Sequence, residues 1–76
     1  MVVTGLVVKT APEKLKEVLT AIENLKKVSI TRIMDDNKIL VIIDLENKDE
    51  EDVVSEEIKQ IKGVISISFA YHHVEN

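Results

Sequence analysis

The sequence predicts an α+β domain of order βαββαβ, with a four-stranded antiparallel sheet and two helices on one of its faces. Three observations carry that expectation. Two stretches, Val2–Lys9 and Ile39–Leu45, are dense in β-branched and aliphatic residues, as strands are. Two further stretches place apolar residues at spacings of three and four, the period of a helix with one buried face. A strand–helix–strand unit therefore occurs twice, which with helices on one face is the ferredoxin-like arrangement. Seventy-six residues allow one core, and no linker or low-complexity segment interrupts them, so a single domain over 1–76 is expected.

Val2–Lys9 forms the first strand. Thr10-Ala11-Pro12 opens a helix, because proline is tolerated in the first turn, where its missing N–H has no partner to lose. Leu15, Val18, Leu19, Ile22 and Leu25 stripe that helix to about Lys26, and Lys26-Lys27 closes it with positive charge at the negative end of the dipole. Val28–Met34 is the second strand. Asp35-Asp36-Asn37, residues tolerant of left-handed backbone, turn it into a hairpin with the third, Ile39–Leu45. Asn47–Asp49 leads into a second helix striped by Val53, Val54, Glu57, Ile58 and Ile61, and Gly63 stands where a terminal cap glycine belongs. Ile65, Ile67, Phe69 and Tyr71 alternate with Ser66, Ser68 and Ala70 in a fourth strand, and His72–Asn76 reads as a polar tail.

Ile39–Ile43 is an unbroken run of five apolar residues. A strand with one buried face alternates apolar and polar residues, whereas an unbroken run is apolar on both faces. Two helices cover one face of a small sheet, so the other face of the central strands is left apolar and open, the mark of an interaction surface. Asp44 is charged and assigns its parity to the open side with Leu40 and Ile42, leaving Ile39, Val41, Ile43 and Leu45 for the core. In the first strand Leu6 and Val8 point to the core and Val3, Gly5 and Val7 to the open side. In the fourth the large Ile65, Ile67 and Phe69 are assigned to the helices and Ser66, Ser68 and Ala70 to the open side. A slip of one residue would invert any of these strands. The surface so defined has Val3, Val7, Leu40 and Ile42 as floor and low walls beside them, suited to an amphipathic helix. At about 25 cal/mol per Å2, covering several hundred Å2 supplies several kcal/mol before association costs. A second copy stacked sheet to sheet, a homodimer, would cover the same face.

Composition narrows the function classes. The formal charge is −4, from fourteen acidic and ten basic residues, with one tyrosine, one phenylalanine and no tryptophan. Nucleic acid calls for basic patches and stacking aromatics, so a basic peptide is the better partner. Asp49–Asp52 reads as a solvated helix start whose acids complement the dipole. Without cysteine there is no disulfide and no thiolate metal site, and a reducing compartment is the default. The first apolar stretch ends at Lys9 with no basic segment before it, and no run approaches the roughly 20 residues of a membrane span, so a cytoplasmic protein without membrane insertion is expected. No nucleophile–base set, phosphate loop or calcium loop is present, and adjacent His72-His73 with Glu75 are poorly placed to converge on one metal ion. A binding protein without cofactor, and not an enzyme, is the expectation.

Gly5-Leu6-Val7-Val8, Ala11-Pro12-Glu13, Asn37-Lys38-Ile39-Leu40-Val41, Asp44-Leu45-Glu46 and Gly63-Val64-Ile65-Ser66 running to Ala70-Tyr71-His72-His73-Val74-Glu75 resemble the NapD family over nearly the whole chain. That family often has Ser at the position of Gly5 and Gly-Lys where this chain has Asn37-Lys38. The resemblance implies a small cytoplasmic chaperone for the catalytic subunit of periplasmic nitrate reductase. Such a protein binds the precursor's twin-arginine signal peptide, largely as a helix, on the sheet, and delays export until the molybdenum cofactor is inserted. The expected signal-peptide site is Val3, Gly5, Val7, Leu40, Ile42, Ser66, Ser68 and Ala70, with the carboxylates of Asp44 and Glu46 drawing the arginines. ACT-like and Lrp/AsnC-type effector modules share the element order, a proline after the first strand and Gly-Val before the last, and dimerise through their sheets. They are the alternative reading.

Overall fold

The computed structural model describes residues 2–74, in the order β1 (Val2–Thr10), a 3-10 turn (Pro12–Lys14), α1 (Leu15–Glu23), β2 (Val28–Met34), β3 (Lys38–Leu45), α2 (Asp49–Lys59) and β4 (Val64–Val74). The strands lie in the order β2-β3-β1-β4, every neighbouring pair antiparallel, so the two most apolar strands are central. α1 packs against β2 and α2 against β4 and β3, on the same side of the sheet. This is the expected ferredoxin-like fold.

Burial alternates along the central strands as their sequence parity required. Leu6, Val8, Ile39, Val41 and Ile43 are fully enclosed and join Val18 and Ile22 of α1 and Val54 and Ile58 of α2 in one core. Asp36 and Asn37 both take positive φ (62° and 59°), the left-handed backbone that Asp and Asn tolerate, in the three-residue turn between Met34 and Lys38.

Several expectations fail, each for a local reason. Proline does open the first helical segment, but as a 3-10 turn; α1 then ends at Glu23, its last turn has no basic residue, and Lys26-Lys27 lie beyond it. Gly63, at φ 104°, serves the Ile61–Val64 turn, closed by Val64 N–H donating to the Ile61 carbonyl, and does not directly cap α2, which ends at Lys59. An added Cβ there would also lie 2.6 Å from the Lys14 Cβ. Val53, placed in the α2 stripe, is 59% exposed, while Glu51 and Ser55 occupy the buried face.

The largest departures are in β4, which runs on through His72 and His73 where a polar tail was expected. Two breaks in its pairing with β1 leave one residue of β4 unmatched at each. Lys9 faces Ser66 but Thr10 faces Val64, passing over Ile65; Leu6 faces Phe69 but Gly5 faces Tyr71, passing over Ala70. Each such bulge inverts the alternation beyond it. Ile67 half-buries against the core as expected, but Ile65 and Phe69, assigned to the core, are 60% and 59% exposed. Phe69 shares the helix side with Leu6, yet on this outer strand the helices do not cover it. Glu75 lies outside the described residues.

Candidate functional site

Cross-strand partners share a face, so the register defines the open side row by row. Asp44, Val3 and His73 form the first row. Ser29, Ile42, Gly5 and Tyr71 form the second; Arg32, Leu40, Val7 and Ser68 the third; Met34, Lys38, Lys9 and Ser66 the last. The apolar centre expected from sequence is thus assembled: Val3, Val7, Leu40 and Ile42 are adjacent and half-buried, since no described helix lies over them. Asp44 is exposed at one end, and Ser66 and Ser68 are exposed along β4. Glu46 is exposed just past the end of β3, where with Lys27, Asp44 and Leu45 it lines a shallow hollow of about 350 Å3. Ala70, exposed, belongs to no row, because it is the residue the bulge passes over.

Sequence reasoning missed Tyr71. The bulge at Ala70 sends its ring to the open side, where it lies over Gly5; a Cβ on Gly5 would sit 2.5 Å from Tyr71 Cε1 and 2.7 Å from Cδ1. Gly5 is therefore buried beneath an aromatic ring that is itself 48% exposed, and the absent side chain at position 5 is what admits the ring. A single aromatic two residues beyond Phe69 gave the alternation no warning of an inserted residue. Lys9, Arg32, Lys38 and His73 were also unassigned; the register adds them to the face.

The opposite side of the sheet, in the row of Ile43, Thr4 and His72, holds a buried polar group. Glu51, in the first turn of α2 and 7% exposed, accepts a hydrogen bond from the Thr4 hydroxyl (2.7 Å), and His72 Nε2 lies 3.0 Å from the same Oε2. Asp49, Glu50 and Asp52 sit at the surface as a solvated helix start would, but Glu51 ties β1, α2 and the bulged end of β4 together. At the edge, Lys27 pairs with Glu50. Their hydrogen bond holds the Lys27 ammonium above its ordinary value and draws the Glu50 carboxyl below its own.

Other surfaces offer less. A wide-open hollow of about 740 Å3 beside α2 is lined by Leu25, Asp52, Val53, Glu56, Glu57 and Gln60, with no converging donors. Among the described residues no cluster of three His, Asp or Glu side chains is arranged to hold a metal ion, and no helix is long and apolar enough to cross a membrane.

Helices on one side and an apolar, half-open sheet on the other define a ferredoxin-like domain built to present a surface. The chain belongs to the NapD protein family, whose pattern it matches over residues 1–76. Its fold is similar to the solution structure of the E. coli Tat proofreading chaperone protein NapD, with a TM-score of 0.84 at 20% identity, covering 96% of this chain and 78% of that one. It is also similar to the crystal structure of TTHA0845 from Thermus thermophilus, with a TM-score of 0.76 at 18% identity, covering 100% of this chain and 96% of that one. At such identities the likeness speaks for the fold. No curated protein matches the sequence.

Proposed function

We propose that this protein is a cytoplasmic chaperone, without catalytic activity or cofactor, that binds the twin-arginine signal peptide of a nitrate reductase catalytic-subunit precursor on its open sheet face. Binding there withholds the precursor from export while the molybdenum cofactor is inserted. The observation that carries the reading is the row-by-row adjacency of Val3, Val7, Leu40 and Ile42 on a face that no described helix covers, in a chain of the NapD family. An apolar helix laid on that floor buries surface on both partners, which the non-directional hydrophobic effect favours. Asp44, with Glu46 just beyond it, offers carboxylates to a basic pair, and exposed pairs of this kind act mostly on encounter rate. Titration calorimetry with the synthetic leader is expected to show binding at about micromolar Kd or tighter, some 8 kcal/mol. Affinity should fall in part as salt rises and screens the charges beyond ~8–10 Å. No heat of binding at high peptide concentration would refute the reading.

A further inference from the structure

The open face is electrically polar along the strands. Its last two rows carry Lys9, Lys38 and Arg32, three of the ten basic residues and the only arginine, with no acid among their partners. Asp35 and Asp36 lie past these rows in the hairpin turn. The first row, at the other end, carries Asp44, with Glu46 just beyond; the nearby Lys27 ammonium is already engaged by Glu50. Between the two ends lies the apolar floor.

We propose that Lys9, Arg32 and Lys38 set the direction of the bound helix by receiving its C-terminal end, so that it runs parallel to β1 with its basic pair at Asp44. The inference rests on the reading above. From the Val3 row to the Lys9 row is six strand residues, about 20 Å at ~3.4 Å each. A helix rises ~1.5 Å per residue, so about 13 residues span the face from end to end. Helix C-termini carry exposed carbonyls and a partial negative charge of about half an electron, which cations stabilise. The reversed helix meets a double penalty: its arginines face three like charges, and its carbonyl end faces a carboxylate.

The test uses a synthetic helix-forming peptide, a basic pair followed by about 13 apolar residues, with a nitroxide label at one end or the other and isotope-labelled protein. With the label beside the basic pair, amide signals of Val3, Asp44 and His73 are expected to broaden, and those of Lys9, Lys38 and Ser66 to stay sharp. Moving the label to the far end should exchange the two sets. In the Lys9→Glu, Arg32→Glu, Lys38→Glu triple variant, whose changed side chains are exposed or half-buried on the open face, the two label patterns should reverse, because three carboxylates then outnumber Asp44 and Glu46 in drawing the basic pair. The opposite pattern in the wild type, or an unchanged direction in the triple variant, overturns this inference and leaves peptide binding standing. Absence of binding, broadening on α1 and α2, or a second copy of the chain that the peptide cannot displace overturns both.

Discussion

The two faces of the β1–β3 pair share one backbone and nearly one set of amino acids, yet only one of them is sealed. Toward the helices, Leu6, Val8, Ile39, Val41 and Ile43 are sealed; on the reverse, Val3, Val7, Leu40 and Ile42 are only half-buried. Residue type does not distinguish them, since Val and Ile appear on both. What differs is whether a helix lies above. If the open face binds the peptide as proposed, stability and recognition fall on alternate residues of the same strand, and substitutions one position apart should separate them.

The largest effect expected is on that pair of faces. Val41→Asp or Ile43→Asp puts an uncompensated charge among enclosed aliphatic side chains, at a cost of several kcal/mol against a total stability of about 5–15, and should abolish the folded state in circular dichroism. Leu40→Asp or Ile42→Asp should leave the spectrum native and weaken peptide binding more than about tenfold, ~1.4 kcal/mol. Were Leu40→Asp to unfold the domain, the division of labour between the faces would be wrong.

Glu51 tests the helix side from within. Its replacement by alanine removes the acceptor of Thr4 and the carboxylate beside His72. A loss of about 2–3 kcal/mol in urea unfolding is expected, as for hydrogen bonds to buried charged groups, with the open face still able to bind peptide. A surface acid would move stability by less than about 0.5 kcal/mol, and that result would refute the tie.

On the open side, Gly5→Ala meets the Tyr71 ring at less than van der Waals distance. It should cost about 1–2 kcal/mol and shift the ring resonances, as overpacking does. In the Tyr71→Ala background the same change should be nearly free, so the two are expected to be non-additive. Additive behaviour would mean that the ring does not depend on the glycine.

The element order, the strand parity of β1 and β3 and the Asp36-Asn37 turn were legible because each follows from local chemistry: a two-residue period, a charged Asp44, side chains that tolerate positive φ. β4 was legible only over Ser66–Ser68, between its two bulges. A bulge adds a residue without changing composition, so the positions of Phe69, Tyr71 and His72 depend on pairing with β1, which no single segment encodes. Glu51 was hidden likewise among Asp49–Asp52, where only the strand beneath α2 distinguishes the one acid that meets Thr4. The four apolar residues of the candidate face were readable; the ring that roofs Gly5 and the basic row at the far end were not.

The central claim is that the uncovered sheet face is the peptide-binding surface. Amide chemical-shift mapping of the labelled protein, titrated with the leader peptide, tests it most directly. Perturbations are expected to concentrate at Val3, Val7, Leu40, Ile42 and Tyr71, with α1 and α2 nearly silent. Shifts gathered instead around Leu25, Val53 and Gln60, beside α2, would contradict the account.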